Sequence, residues 1–137
     1  MVQKTPKTPK ILSKADIFKH KGRVRKTVHV AEWGGDVPYH AMSMKERRQC
    51  RKKSSITTKV NGEEKIDIDH EKLELWAIIT CVLDPEDENK LMFEPGDFDT
   101  LEGEMAAGGI STVSQAILGD SGMTGNAAFR SEEDTPE

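Results

Sequence analysis

This sequence predicts a small α+β domain, mainly helical, with a β-hairpin near its N-terminus. Three features carry that expectation. Val28 and Val30 alternate with polar residues ahead of a glycine pair, Ser43-Met44-Lys45-Glu46 forms a helix capping box, and "HEKLELWAIITCVL" is a long apolar helical run. A chain of 137 residues has room for one modest core. A single domain is expected over 11–122, with a flexible basic arm at 1–10 and a mobile acidic tail at 123–137.

In "MVQKTPKTPK" proline bars a helix and the lysines repel one another, so the arm is expected to be extended. Ser13 is placed to cap a short turn carrying Ile17 and Phe18. The hairpin is expected over about 27–42. With Gly34-Gly35 at the centre of its turn, Val30 faces Tyr39, Glu32 faces Val37 and His29 faces His40. Pro38 has no N–H to give. It fits a four-residue loop from Trp33 to Asp36, which leaves Pro38 in a non-hydrogen-bonded pair at a sheet edge. Trp33 then stands on the loop, either as a lid on the core or as an exposed contact for a partner. A core this poor in aromatics favours the lid.

The capping box starts a helix expected over 44–53, with Ser43 as N-cap. It is cationic nearly all round, with only Met44 and Cys50 clearly apolar. Either its long stems lie over neighbouring apolar surface or it folds onto something acidic. Residues 56–69 read as a hairpin turning at Asn61-Gly62 or as a loop. Asp69 caps the next helix, expected over 70–83, in which Leu75, Ile78, Ile79 and Val82 share one face. Leu73, Trp76 and Leu83 extend the apolar surface to nearly the whole circumference, which makes this the central core helix. Asp84-Pro85 stops it, and the short apolar return Leu91-Met92-Phe93 follows a polar turn. Two short helices are expected at 98–107, capped by Asp97, and at 110–118, carrying Ile110, Val113 and Ile117. Gly108-Gly109 separates them, since glycine costs a helix up to about 1 kcal/mol against alanine. Gly119 or Gly122 is the closing signal.

The net charge of -4 conceals a strong polarity. Residues 1–60 hold 16 Lys+Arg against 4 Asp+Glu, a balance of +12, and residues 61–137 hold 4 against 20, a balance of -16. Such a split suggests attraction between copies or a basic half that meets an acidic partner; neutralisation within one fold is the alternative. No apolar run approaches the roughly 20 residues of a membrane span. Without a signal-peptide pattern or a CxxC, Cys50 and Cys81 are expected to be reduced thiols of a soluble intracellular protein.

Catalysis would need a nucleophile beside a base, paired carboxylates or a metal cluster. The expected cross-strand pair His29/His40 is too small a ligand set, and His20 and His70 are isolated. "DPEDEN" lacks the glycine and terminal glutamate of a calcium loop, and "AAGGIS" lacks the Gly-Lys-Ser/Thr of a phosphate loop. No enzyme, cofactor or metal is expected. The Lys/Arg-rich stretches 4–26 and 45–53 admit a nucleic-acid-binding protein, against which stand the acidic C-terminal half and the scarcity of aromatics.

Several motifs in order carry a resemblance. A valine-rich strand leads into Glu32-Trp33-Gly34-Gly35 and a second strand, and the helix start Ser43-Met44-Lys45-Glu46-Arg47 follows. An apolar helix ends in Cys81-Val82-Leu83-Asp84, then come the return Lys90-Leu91-Met92-Phe93 and the corner Ser121-Gly122-Met123-Thr124. Over about residues 11–130 the chain resembles the tail assembly chaperones of long-tailed bacteriophages, of the lambda G type. It departs from them in a more basic helix after Ser43 and in Gly108-Gly109, where the family has a longer helix. The resemblance implies a non-enzymatic assembly factor in the host cell cytoplasm. Such a factor binds the tape measure protein, keeps it soluble, helps to recruit subunits of the major tail tube protein and is lost from the finished virion. It also implies self-association and, in many members, a longer form made by ribosomal frameshifting. Partner contacts are expected at Trp33, Arg47, Arg48, Arg51, Lys52, Met123 and Phe129. The charge split suggests helix 44–53 of one subunit against segment 84–104 of the next. A structural tail or connector component of the virion is the remaining alternative.

Overall fold

The computed structural model describes residues 10–123. Its helices are α1 (Lys14–Phe18), α2 (Met44–Lys53), α3 (His70–Cys81), α4 (Phe98–Gly103) and α5 (Ala107–Asp120). Its strands are β1 (Lys26–Val30), β2 (Gly35–Tyr39), β3 (Ser55–Val60) and β4 (Glu63–Ile68). The strands form two separate antiparallel pairs, β1-β2 and β3-β4, so the fold is α+β. The expected arm, apart from Lys10, and the tail beyond Met123 lie outside the described residues.

The core is built around α3. Its N-terminus is capped by the Asp69 carboxylate, which accepts the N–H groups of Glu71 and Lys72 at 3.0 and 3.2 Å. Leu73, Leu75, Ala77, Ile78, Ile79 and Cys81 are all buried. Fully burying each large aliphatic among them contributes about 1.5–3 kcal/mol. From one side α2 sends in Cys50, whose Sγ lies 3.4 Å from Thr80 Oγ1. From another, α5 contributes Ile110, Val113, Ile117 and Leu118, and the first hairpin adds Val30 and Tyr39. The helix ends at Cys81, two residues short of the expected Leu83, because the chain is drawn into bridges: Val82 with Tyr39, and Leu83 with Leu91.

The β1-β2 register differs from the expected one. Val28 faces Val37, Val30 faces Gly35, and His29 faces Asp36 rather than His40. The loop does have four residues, but they are Ala31–Gly34, a single 3-10 turn closed by Gly34 in the left-handed region at φ 73. Gly34 N–H reaches back to the Val30 carbonyl at 3.0 Å, so the turn closes ahead of Gly35, which begins β2. The centre of the loop therefore moves by two residues. Such an even slip keeps Val28, Val30, Val37 and Tyr39 on one face. Pro38 still directs its N away from β1, because its carbonyl accepts Leu83 N–H at 2.9 Å on the far side of β2. That far edge is not free: His40 N–H also bonds the Cys81 carbonyl at 3.2 Å.

The β3-β4 pair settles the open reading of 56–69 as a hairpin turning at Asn61-Gly62, both at positive φ. It projects from the body with every residue of β3 exposed.

Gly108-Gly109 does not separate two helices. The break falls earlier, between Gly103 and Ala107, and both glycines lie in the first turn of α5. Asp97 holds the expected N-cap position of α4 but makes no side-chain capping bond; its carboxylate accepts Glu94 N–H at 2.8 Å and closes the 3-10 turn Pro95–Asp97. The glycines are there for close approach. A Cβ on Gly109 would stand 2.5 Å from Cε2 of Trp33, and one on Gly108 would stand 2.0 Å from Oε2 of Glu32. Glu32 thereby brings a carboxylate to the positive end of α5, whose own first turn holds no acidic residue and whose N-cap Ala106 offers no side-chain cap. At the other end α5 closes in a Schellman motif: Met123 N–H bonds Leu118 O at 2.7 Å, Gly122 N–H bonds Gly119 O at 3.1 Å, and Gly122 has φ 74.

Gly109→Ala is expected to cost about 1–3 kcal/mol, the usual range for overpacking, because its methyl meets the indole ring. Gly108→Ala meets only the end of the Glu32 side chain, which can swing aside, and gains up to about 1 kcal/mol in helix propensity. Denaturant midpoints of the two variants check this, and Trp33→Ala combined with Gly109→Ala should recover part of the loss. Equal midpoints for the two single variants would refute the packing.

Candidate functional site

An apolar cleft of about 450 Å³ opens on the surface, within the roughly 300–1,000 Å³ range of ligand pockets. Its floor is Ile78 of α3 and Val113 of α5, and its walls include Leu101 of α4. Trp33, Met92 and Met105 form its rim, each 38–39% exposed. Trp33 is thus neither a buried lid nor a free loop residue. One part of its ring lies on Gly109 while the rest borders the cleft. The unbranched side chains of Met92 and Met105 can adapt to an irregular apolar guest. Asp97 is the one ionisable group among the described lining residues, so the lining is almost wholly apolar. A smaller recess beside it shares Leu101 and Met105 and carries Glu71, Glu74 and Glu102. Burial, and then the nearby Glu71, push the Glu74 carboxyl above its ordinary value.

The expected contact residues Arg47, Arg48, Arg51 and Lys52 share α2, which the capping box Ser43/Glu46 starts at Met44. Arg48 and Lys52 are exposed, whereas Arg47 and Arg51 are half-buried. No carboxylate lies within 4.0 Å of any of the four among the described residues. Arg47 Nε is buried without a hydrogen-bond partner, and burial and then Arg47 push Arg51 below its ordinary value. Lys53 is placed differently, its ammonium 4.5 Å from the centre of the Trp76 ring. Of the two expected arrangements only the first is seen among the described residues: part of the helix's cationic surface packs on α3, as Lys53 does over Trp76, while the rest meets no acidic surface.

Met123, the sixth expected contact, is not at the surface. It is fully buried at the position after the Schellman glycine, where an apolar side chain folds back onto the helix, and it joins the core with Leu118. The motif Gly-Met after an apolar helix carried that signal. Phe129 lies outside the described residues.

Two polar nodes were not legible in the sequence. His40, Glu46 and Cys81 bring donor atoms within 4.8 Å of one another, a potential ligand set. The Arg23 guanidinium occupies the same place: it pairs with Glu46 and the Ala41 carbonyl, 3.4 Å from His40 Nδ1. The cation those groups would attract is thus already part of the chain, and burial pushes the Cys81 thiol up, away from the thiolate a metal requires. Burial likewise pushes up the Cys50 thiol. His29, separated from His40, instead pairs with Asp36 at 2.8 Å. The second node joins both ends of the domain. Tyr39 OH donates to Asp120 Oδ2 at 2.5 Å, and Lys26 Nζ lies 3.1 Å from the same oxygen.

These features define an α+β domain with an apolar cleft and a cationic helix face. No protein-family model, curated protein or solved structure matches the chain.

The Tyr39–Asp120 contact has a measurable titration. Burial, and then the hydrogen bond to Asp120, push the Tyr39 phenol up to about 12, while the bond from Tyr39 holds Asp120 below its ordinary value. With a raised folded pKa, the Tyr39 contribution is complete below about pH 10 and is lost as pH rises towards 12. The Asp120 contribution is present above its ordinary carboxylate range and is lost as pH falls through its depressed value. Tyr39 is the chain's one tyrosine, so tyrosinate absorbance reads it alone. Titration near 12, shifted down in Asp120→Ala, is the expected result; titration near 10 in the native protein would contradict it.

Proposed function

We propose that this protein is a tail assembly chaperone of a long-tailed bacteriophage, acting in the host cell cytoplasm. It binds the tape measure protein, keeps that long helical chain soluble, helps to recruit tail tube subunits and leaves before the virion is complete. The observation that carries the reading is the uncompensated cationic face of α2 on a domain that resembles this family in its ordered motifs. Arg48 and Lys52, one turn apart and exposed beside the exposed Met44, fit a helix with an apolar stripe flanked by acids. Six Lys+Arg against one Glu within ten residues keep such a face hydrated and open until the partner arrives.

The same face supports a second reading, a generic nucleic-acid contact, since arginines on one helix also suit phosphate. The balance of -16 over residues 61–137 weighs against it, because that field repels a polyanion.

Co-expression with a candidate tape measure protein, a very long helical chain sought in the neighbouring genes, tests the proposal. The long protein is expected to become soluble with this chain, and to lose that gain with Arg48→Glu/Lys52→Glu, whose exposed positions leave the fold intact. Unchanged solubility with the native chain would overturn the chaperone reading. So would steeply salt-dependent binding to generic DNA or RNA without any effect on the long protein. Retention of the chain in purified particles would favour a structural tail component instead.

A further inference from the structure

The segment 10–26 is an oddity of the fold. Its helix α1 is correctly started, with Ser13 and Asp16 in a reciprocal capping box, yet it buries none of its residues. Leu12 and Ile17 stand at the two positions of a hydrophobic staple, with Ile11 and Phe18 beside them. All four are more than half exposed: Ile11 91%, Leu12 52%, Ile17 52% and Phe18 54%. A helix of five residues is far below the roughly 12–15 at which an isolated helix becomes even marginal in water. Its apolar face therefore needs a surface to lie on. The segment is also strongly cationic, with Lys10, Lys14, Lys19, Lys21, Arg23, Arg25 and Lys26 against the single acid Asp16.

The cleft is its complement. Its floor is apolar and its rim is adaptable methionine. One wall is built from the segment 84–104, which holds nine Asp+Glu against the single cation Lys90. The adjoining recess adds Glu71, Glu74 and Glu102, and no Lys or Arg lies within ion-pair distance of these three among the described residues. Within its own chain this segment, hereafter the arm, is anchored at its C-terminal end: Arg23 is bonded to Ala41 and Glu46, and Arg25 to the carbonyls of Asp84 and Pro85 at 3.2 and 3.0 Å.

We propose that the apolar cleft beside Trp33 receives residues 11–18 of a second copy of this chain. Ile17 and Phe18 enter between Trp33, Met92 and Met105, and the flanking lysines of the arm face the carboxylates of the rim. The donor surface and the acceptor surface are different parts of the chain, so the contact is heterologous and can propagate from copy to copy. This places the +12 half of one molecule against the -16 half of the next through the arm rather than through α2, which leaves the cationic helix face free. The inference does not rest on the proposed chaperone role, because it concerns the chain alone.

Sedimentation velocity on the full chain, with complementary variants, tests it. The native protein is expected to sediment above its 15.3 kDa chain mass in low salt, and less so as ionic strength rises. Phe18→Asp disables the arm and Met105→Asp disables the cleft. Each is expected to weaken self-association roughly 10- to 100-fold, the loss that follows when one buried side chain becomes a charge. Mixed in equal amounts, the two variants pair one intact arm with one intact cleft and form dimers that grow no further. If circular dichroism finds Met105→Asp unfolded, Met92→Asp takes its place on the same rim. A native chain that stays monomeric at every loading overturns the proposal, as does self-association untouched by Phe18→Asp. A mixture in which the folded variants remain monomers overturns it too.

Discussion

Burial of α3 on nearly every side is the constraint from which the rest of the structure follows. With Leu73, Leu75, Ala77, Ile78, Ile79 and Cys81 all hidden and only His70 and Glu71 of its first turn exposed, α3 places each element of the core by the side that element covers. The α5 helix supplies the longest apolar stripe, α2 seals another side with Cys50, and the β1-β2 hairpin closes over the end through Val30 and Tyr39. The chain leaving α3 is itself captured, as Val82 bridges to Tyr39 and Leu83 to Leu91. The domain thus has one centre, and the elements least engaged with it, α1 and the β3-β4 hairpin, which reaches the core only through Ile68, project with most of their surface exposed.

The contact between the Ala31–Trp33 turn and the start of α5 shows how this packing shapes chemistry at the surface. Glycine at 108 and 109 lets the backbone of α5 approach the turn, where a Cβ would collide with Glu32 or Trp33. Trp33 is thereby anchored along part of its ring, and its remainder becomes one rim of the apolar cleft. Glu32 serves the same helix electrostatically, since a carboxylate at the N-terminal end offsets the partial positive charge there. A loop that looks ornamental in isolation is in fact the clamp between the hairpin and the last helix.

Charge follows a different logic from apolar burial here. Two of the four ion pairs among the described residues link N-terminal cations to distant parts of the fold, Arg23 with Glu46 and Lys26 with Asp120, while Lys19–Asp16 and His29–Asp36 are local. Most of the polarity between the halves is left unspent on internal pairing, with α2 cationic and 84–104 acidic on the surface. Exposed pairs stabilise a fold by little, typically under about 1 kcal/mol, so a split of this size matters more for what the molecule meets than for how it folds.

The sequence by itself determined whatever depends on short-range geometry. The capping box placed the start of α2 at Met44, Asp69 placed the start of α3, and Asn61-Gly62 marked a turn, because each signal is read by residues within a few positions of it. The same locality explains the Schellman closure at Gly122, which buries Met123 although the side chain looked available. Only the tertiary structure decided the β1-β2 register, the role of Gly108-Gly109 and the end of α3. In the hairpin two loop placements satisfied the alternation and Pro38 equally, and the one adopted is that which lets Glu32 and Trp33 reach α5, more than seventy residues away. The cleft was hidden for a related reason: Trp33, Ile78, Met92, Leu101, Met105 and Val113 come from separate segments, and their convergence depends on how α3, α4 and α5 stack rather than on any pattern along the chain.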